Sequence, residues 1–193
     1  MEQDRRQQIA RTALHVLASA GSRGLTHRAV DAAAELPAGS TSYYFRSRAA
    51  LLQACVADLV AQDQADLDLM SPLVAAQDEH AFGQALADVL LRWLGPDRWR
   101  HVARYELSME AMRRPDLAAV LHQGGVTIRH RVAAVLAGLG ASDPVERAFW
   151  LVACLDGIVF DRVAGANAAL SVDRDELAVM TQRLVRSVLP VAR

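Results

Sequence analysis

Apolar residues recur along most of this chain at intervals of three and four positions, the spacing that places side chains on one face of an α-helix. The first such stretch predicts a helix over residues 4–20, whose apolar stripe consists of Ile9, Ala13, Val16, Leu17 and Ala20. Gly21 and Gly24 follow, and glycine is the usual residue where a helix ends and a turn begins.

The next part of the chain contains three more segments with helical spacing. Thr26 stands at the N-cap position of a short second helix, whose buried face is predicted to consist of Ala29, Val30 and Ala33. Pro37 marks the boundary to a third short helix over residues 38–44, because its fixed φ suits a first helical turn. Ser47 caps a long fourth helix that begins near Arg48 and has the apolar stripe Leu51, Leu52, Cys55, Leu59 and Val60.

Helical spacing continues beyond the fourth helix, in segments separated by proline and glycine. These segments lie at about 78–94, 97–113, 115–138, 144–163 and 173–190. We find no alternation of apolar and polar residues long enough to predict a strand. The predicted fold is therefore all-α, with a three-helix unit in residues 1–47 and a larger helical bundle in residues 48–193.

Composition agrees with a helical protein and adds an uneven charge distribution. Apolar residues make up 52% of the 193 residues, while aromatic residues make up only 5%. Residues 1–50 carry seven arginines and four acidic residues, a balance of +3, and the remainder carries fourteen arginines and eighteen acidic residues, a balance of −4. A basic N-terminal part is a modest indication of a polyanionic partner. All 21 basic residues are arginine, which forks onto phosphates and base edges better than lysine does.

The sequence favours a cytoplasmic location. The N-terminus, from Met1 to Arg6, is too charged for a signal peptide. The most apolar run, over residues 148–160, is interrupted by Asp156 and is shorter than the ~20 residues that a membrane-spanning helix needs. Two cysteines, Cys55 and Cys154, lie far apart among apolar neighbours, so we expect buried thiols in a reducing compartment.

The third helix has an unusual composition for its length. So short a helix cannot stabilise itself in water, so it must be held by packing, with Leu36 and Phe45 as its predicted anchors. Gly39 costs roughly 1 kcal/mol of helix propensity relative to alanine, but it permits a close approach of the backbone to another molecule. The residues left outside have almost no charge and several hydroxyl groups, and they are Ala38, Gly39, Ser40, Ser42, Tyr43 and Tyr44.

Two short helices joined by a tight turn, with such a surface on the second helix, are typical of a helix-turn-helix that inserts into DNA. Hydroxyl groups of Ser, Thr and Tyr donate to phosphate oxygens, and a short helix fits the major groove. The residues alone leave an alternative open, in which segment 25–45 is a polar connector within a helical bundle.

This part of the chain resembles the N-terminal domain of the tetracycline-repressor (TetR) family of transcriptional regulators. The resemblance covers about the first 55 residues without a gap and consists of Gly21, Gly24-Leu25-Thr26, Arg28, Ala34, Pro37 to Phe45, Arg48 and Leu51-Leu52. The chain also departs from the family. Glycine, serine, leucine, tyrosine and lysine are frequent in the family where this chain has Glu35, Pro37, Thr41, Ser42 and Arg48.

The resemblance implies a homodimeric repressor that binds a palindromic operator in double-stranded DNA and leaves it when a small molecule binds. It implies that Thr26 and Arg48 lie at helix N-termini facing the DNA backbone, with His27 and Arg28 close to the DNA. The six outward residues of the third helix are then expected to contact the operator. A twofold dimer would place its two recognition helices about one DNA turn apart, ~34–36 Å.

The larger bundle offers candidates for an effector site, because aromatic and methionine side chains with a few polar groups suit an organic ligand. These candidates are Trp93, Trp99, His101, Tyr105, Met109, Met112, His122, Trp150 and Phe160. Each of them can equally be an ordinary core residue, so both interpretations stay open.

The last two predicted helices offer candidates for a dimer interface, because the resemblance implies a four-helix interface between two copies. These candidates are Phe149, Asp156, Leu177, Met180, Leu184 and Val188. Asp156 interrupts an apolar run, so its carboxylate must find a partner or shift its pKa. We expect it to pair across the dimer with an arginine such as Arg162, or to contact a ligand.

The sequence also bears on two other classes of protein, enzymes and small-molecule carriers. An enzyme is disfavoured, because the six histidines lack metal-ligand spacing and the chain has neither a G-x-S-x-G motif nor a phosphate-binding glycine loop. We accordingly expect no metal and no cofactor. The alternative is a helical small-molecule carrier or scaffold with a degenerate DNA-binding head, which would bind DNA without sequence preference.

Overall fold

The computed structural model describes residues 2–69 and 78–189, and these residues form nine α-helices and no strand. The helices are α1 (Glu2–Gly24), α2 (His27–Ala33), α3 (Ser40–Tyr44), α4 (Arg48–Asp68), α5 (Glu79–Leu94), α6 (Arg98–Ala111), α7 (Pro115–Gly138), α8 (Pro144–Val163) and α9 (Arg174–Val188). The predicted all-α fold is confirmed. None of the described helices is long and apolar enough to cross a membrane.

Proline, glycine and capping residues set most of the helix boundaries, as the sequence predicts. Helices α7 and α8 begin at Pro115 and Pro144, where the missing amide hydrogen costs nothing. Ser47 caps α4 by accepting a hydrogen bond from the amide of Ala50 at 3.1 Å. For α9, the predicted end at residue 190 lies outside the described residues.

The chain divides into two compact units, which are described separately. Unit 1 comprises Met1–Gln62 and Trp99–Gly125, and unit 2 comprises Asp63–Arg98 and Val126–Arg193. Helices α4 and α7 therefore contribute residues to both units. The predicted functional boundary between residues 47 and 48 stays a prediction.

Unit 1 has one apolar core shared by α1 to α4, α6 and the first part of α7. Its fully buried leucines include Leu14, Leu17, Leu25, Leu51, Leu52, Leu107 and Leu117. Val30 anchors α2 in this core, but Ala33 is exposed, so the prediction that Ala33 is buried is wrong. Helix α2 ends at Ala33, and its buried residues are Val30 and Asp31.

The two cysteines differ in their environment. Cys55 is buried in the core of unit 1, and burial raises the pKa of its thiol to about 12. Cys154 on α8 is exposed, so the expectation of two buried thiols holds only for Cys55.

In unit 2, α5 packs most extensively against α9. The buried hydroxyl of Thr181 donates to the carbonyl oxygen of Gly83 at 2.7 Å, which brings the two helices close together. A side chain at Gly83 would meet the side chain and Cα of Gln182. Arg174 adds hydrogen bonds to Asp88 and Gln84 on α5.

We predict that Gly83→Leu lowers the free energy of unfolding by about 1–3 kcal/mol, because overpacking forces neighbouring side chains and backbone to shift. The measurement is urea denaturation followed by circular dichroism. His80→Leu, at an exposed position of the same helix, is the control and should change stability little. Equal stability of the two variants would contradict close packing at Gly83.

Candidate nucleic-acid interface

The interface begins at Thr26, which caps α2. Thr26 has extended backbone angles, and its side-chain oxygen accepts a hydrogen bond from the amide of Ala29 at 3.1 Å. The N-cap predicted from the sequence is confirmed. Because capping satisfies one of the unpaired amides at a helix start, α2 forms although it has only seven residues.

Asp31 joins α2 to α3. Its side chain is 4% exposed, and its two carboxylate oxygens accept hydrogen bonds from the amides of Gly39 at 2.8 Å and Thr41 at 2.7 Å. Burial alone would raise the pKa of the Asp31 carboxyl. Hydrogen bonds from Thr41 and Gly39 and the nearby His27 outweigh burial, and the net effect lowers the pKa below its ordinary value. The sequence analysis missed this residue, because a lone acidic residue in a short helix resembles a solvated one.

Two residues of the turn between α2 and α3 have left-handed backbone angles. Glu35 has φ of 53°, although it stands where glycine is frequent in the resembling family. Gly39, the N-cap of α3, has φ of 91°. Glycine adopts this angle readily, whereas residues with a side chain rarely do. The turn therefore favours glycine here whether or not the backbone of Gly39 closely approaches another molecule. No atom lies within 4 Å of the place where its Cβ would be.

Helix α3 is shorter than predicted, because its first residue is Ser40 rather than Ala38. Thr41 is fully buried and Phe45 nearly so, and Leu36 packs partly buried against the same core. Phe45 and Leu36 thus occupy the anchoring positions that the sequence predicts.

The outward residues of this segment are accessible. Ala38, Gly39, Ser42 and Tyr43 are exposed, and Tyr43 is 76% exposed. Ser40 and Tyr44 are half-buried, and the Ser40 hydroxyl donates within the turn to the carbonyl oxygen of Pro37 at 2.6 Å. Tyr43 and Ser42 therefore present the hydroxyl groups that a neighbouring molecule can reach most easily.

Basic side chains from α1 and α2 hold the C-terminal end of α3. Nε2 of His27 donates to the carbonyl oxygen of Phe45 at 2.7 Å. Arg6 donates to the carbonyl oxygen of Tyr44 at 3.0 Å, and its guanidinium lies over the Phe45 ring, 4.7 Å from the centroid. Arg6 is a second residue that the sequence analysis missed. Arg28, by contrast, is exposed on α2.

Arg48 is half-buried at the start of α4. Its guanidinium donates to the carbonyl oxygens of Ser22 and Leu25, so it is already engaged within unit 1. Its predicted contact with DNA phosphate stays a prediction.

The effector-site candidates of unit 1 lie in different environments. His101 is 3% exposed, and burial, together with Arg104 and Arg100, lowers the pKa of its imidazole to about 3. Trp99 stacks on His15 with ring centroids 3.7 Å apart. Tyr105 is half-buried, whereas His122, Met109 and Met112 are exposed.

The effector-site candidates of unit 2 are Trp93, Trp150 and Phe160. The indole Nε1 of Trp93 donates to the buried carboxylate of Asp66 at 2.8 Å, and Arg92 pairs with the same carboxylate. Trp150 and Phe160 are exposed on α8. The division between pocket and core within the nine candidates stays a prediction.

The dimer-interface candidates are partly used within unit 2. Leu177 and Val188 are buried there, so their side chains are not accessible to a second copy. Met180 and Leu184 are half-buried. Asp156 is exposed on α8 in the single chain, as is Phe149. Asp156 already takes part in an interaction within the chain, and its predicted contact across a dimer or with a ligand stays a prediction.

Within residues 2–69 and 78–189, no group of three or more His, Cys, Asp or Glu side chains could hold a metal ion.

The chain is similar to known regulators along almost its whole length. A family described as tetracyclin repressor-like, C-terminal domain, matches residues 77–191. The multidrug binding protein EbrR, solved with imidazole, is 33% identical; the match covers 98% of this chain and 97% of EbrR with a TM-score of 0.69. EbrR has also been solved with ethidium, proflavin and malachite green.

Two further structures extend the comparison. A TetR-family member from Streptomyces coelicolor A3 is 32% identical, with 97% of this chain and 99% of that chain covered and a TM-score of 0.72. A transcriptional regulator from Rhodococcus sp. Rha1 is 22% identical over 95% of both chains, with a TM-score of 0.78, and shows the same fold. No curated protein sequence matches the chain.

We predict that Asp31→Ala lowers the free energy of unfolding by about 1–3 kcal/mol, because it leaves the Gly39 and Thr41 amides without their acceptor. Asp31→Asn keeps one oxygen acceptor and should lose less. Urea denaturation measures both variants, with the exposed residue Asp116 changed to alanine as the control. If Asp31→Ala were as stable as the parent, the hydrogen bonds from the Gly39 and Thr41 amides to Asp31 would contribute nothing to the stability of the fold.

We predict that His101→Gln weakens the dependence of stability on pH. In the parent, the folded state takes up a proton at His101 only near pH 3, while the unfolded state does so near pH 6.5. Each such proton lowers stability by about 1.4 kcal/mol per pH unit as pH falls between these values. The difference in unfolding free energy between variant and parent should be constant above pH 6.5 and should shift in favour of the variant below it.

Urea denaturation between pH 4 and pH 8 tests the His101 prediction. The exposed residue His122, changed to glutamine, is the matched control and should keep the parental profile. A difference between His101→Gln and the parent that stays constant over the whole range would contradict a buried, neutral imidazole.

Proposed function

The chain belongs to the tetracycline repressor family, and from this premise we propose that it is a homodimeric transcriptional repressor released from its operator by a small organic molecule. In this proposal, residues 1–47 bind DNA and residues 48–193 bind the effector and the second copy. The protein acts on DNA in the cytoplasm. The observation that carries the proposal is the exposed, uncharged surface of α3, held in place by the buried Asp31.

The chemistry of this surface suits a DNA groove. Duplex DNA repels carboxylates, and the carboxylate of Asp31, which is hydrogen-bonded to the start of α3, is buried. Glu35, in the turn before α3, is exposed. Ser42 and Tyr43 offer hydroxyl groups for phosphate or base contacts, and the small side chain of Ala38 suits contact with a thymine methyl. Arg28 supplies a positive charge and a fork that fits a guanine edge or a phosphate.

The remaining proposed DNA contacts come from the ends of the segment. Thr26 and His27 directly precede Arg28 at the start of α2, and Gly39, Ser40 and Tyr44 complete the surface of α3.

The exposed side of α8 supports the proposed homodimer. Phe149 on α8 is half exposed, and exposed apolar surface of this kind favours association with another chain. Asp156 lies on the same helix, and Met180 and Leu184 on α9 remain partly accessible. A second copy that covered these residues would remove apolar surface from water, and its twofold symmetry would match a palindromic operator.

The effector proposal draws on the similarity to EbrR, which has been solved with several small organic molecules. The aromatic and methionine candidates Trp93, Trp99, Tyr105, Met109 and Met112 are side chains that suit such ligands. His101, His122, Trp150 and Phe160 complete the proposed set.

We predict that Arg28→Ala and Tyr43→Ala each weaken operator binding by roughly fivefold to 150-fold, because each lost contact costs about 1–3 kcal/mol. Fluorescence anisotropy with palindromic duplexes from the DNA upstream of the protein's own gene measures this affinity at several salt concentrations. The parent should lose affinity steeply as salt rises, because bound arginines displace counterions from phosphate.

The matched control for this experiment is Arg183→Ala, which removes an exposed arginine on α9, far along the chain from α2 and α3. It should bind the operator like the parent. Parental affinity in both Arg28→Ala and Tyr43→Ala would contradict the assigned surface. Binding without sequence preference would favour a small-molecule carrier with a degenerate head.

A further inference from the structure

A break in α1 leaves one backbone amide available to another helix. Gly21 has φ of 66° and ψ of −179°, angles that are not helical. The amide of the next residue, Ser22, therefore leaves the helical hydrogen-bond pattern and donates to a carboxylate oxygen of Glu106 on α6 at 3.0 Å. All of these residues belong to unit 1.

Ser22 also contacts α4, so that α1, α4 and α6 meet at this residue, and we call this meeting point the joint. Its hydroxyl donates to a carboxylate oxygen of Glu110 on α6 at 2.7 Å. Arg48, the first residue of α4, donates from Nη2 to the Ser22 carbonyl oxygen at 2.6 Å and to its hydroxyl oxygen at 2.9 Å. Nη1 of Arg48 donates to the carbonyl oxygen of Leu25. One guanidinium thus closes the turn between α1 and α2.

The charges at this joint are matched. The hydrogen bond from Ser22 lowers the pKa of the Glu110 carboxyl, and the positive charges of Arg48, Arg114 and Arg113 lower it further, although burial opposes them. Glu110 is therefore ionised at neutral pH. Its negative charge attracts the guanidinium of Arg48. A guanidinium that bound DNA phosphate would have to be free to reach it, whereas this one is held by oxygens of the protein.

We propose that Ser22, Arg48, Glu106 and Glu110 form a latch that positions the DNA-binding helices on α6, and that Arg48 serves operator binding as a positioning residue of this latch rather than as a phosphate ligand. The proposal rests on the proposed function. It differs from the role that the family resemblance implies for Arg48, which is contact with the DNA backbone.

The latch acts on α2 and α3 through Leu25. This residue is buried, its carbonyl oxygen is held by Arg48, and Thr26 follows it directly as the cap of α2. Because Asp31 fixes α3 to α2, the direction in which α2 leaves the joint also sets the direction of α3.

Helix α6 carries both the latch carboxylates and several proposed effector contacts. Tyr105 precedes Glu106, and Met109 precedes Glu110. A helix moves as a rigid element, so an effector that shifted Tyr105 or Met109 would also shift the carboxylates at Ser22. The latch thereby offers a route from effector binding to the position of α3.

The first test separates positioning from phosphate binding by the salt dependence of operator affinity. Loss of a phosphate contact reduces the slope of log affinity against log salt by about 0.9. The latch predicts that Arg48→Ala loses at least tenfold in affinity and keeps the parental slope. Ser22→Ala, which keeps every arginine, should lose affinity in the same direction. A slope reduced by about 0.9 in Arg48→Ala, or parental affinity in both variants, overturns the proposal.

The second test changes only the carboxylates, in the double variant Glu106→Gln/Glu110→Gln. Removing two negative charges would strengthen attraction to DNA if charge alone mattered, whereas the latch predicts at least a tenfold loss of operator affinity. Glu146→Gln removes an exposed carboxylate on α8 and is the matched control. Equal or tighter binding by the double variant overturns the proposal.

Amide hydrogen exchange tests the latch without DNA, on the same full-length variants. We expect at least fivefold faster exchange in residues 22–45 of the double variant and of Ser22→Ala, with unchanged exchange in α5 and α9. Unchanged exchange in residues 22–45 overturns the latch. If the parent binds no palindromic DNA, the regulator proposal fails by itself, and this measurement still decides whether the latch exists.

Discussion

The buried carboxylate of Asp31 is the interaction on which the candidate interface depends. Helix α3 has only five residues, so it cannot persist without external support. Asp31 supplies that support by accepting the Gly39 and Thr41 amides at once, and Thr41 and Phe45 complete it by packing into the core. Since these amides are occupied, α3 has few backbone donors left for phosphate. Its contacts with another molecule must come from side chains, which explains why hydroxyl groups and a nearby arginine define its surface.

Helices α6 and α7 also support the candidate interface. The core beneath α2 and α3 is not complete within the first four helices, because Leu107 of α6 and Leu117 of α7 are buried in it. The proposed DNA-binding surface is therefore supported by a helix that also carries proposed effector contacts. A regulator needs such a shared element, since an effector can change DNA affinity only by favouring one arrangement over another.

The spacing of apolar residues, together with the proline, glycine and capping residues, is sufficient to predict the helices. These signals predict little about long-range polar contacts. The starts of α7 and α8 follow from Pro115 and Pro144, and their ends from Gly138 and Gly165. Thr26 and Ser47 cap the helices for which they were predicted to be caps. These signals are local. The hydrogen bonds that Asp31 accepts from Gly39 and Thr41 span eight and ten residues. They cross a turn whose geometry depends on Glu35 and Gly39. The contact between Ser22 and Glu110 spans 88 residues, and no local pattern announces it.

Burial was the second quantity that the sequence alone could not supply. His101 and His122 are both effector-site candidates in the sequence, yet His101 is buried and His122 is exposed. The sequence predicts both Leu177 and Phe149 as interface residues, but Leu177 is buried within unit 2, whereas Phe149 is exposed. Such distinctions arise from which helix faces meet in three dimensions.

The central claim, that α3 enters a DNA groove twice per dimer, is tested most directly by selecting bound duplexes from a random DNA library and sequencing them. The account predicts a palindromic consensus whose half-site centres are about one helical turn apart. A pool with no consensus, or a single asymmetric site bound by one copy of the chain, would contradict it.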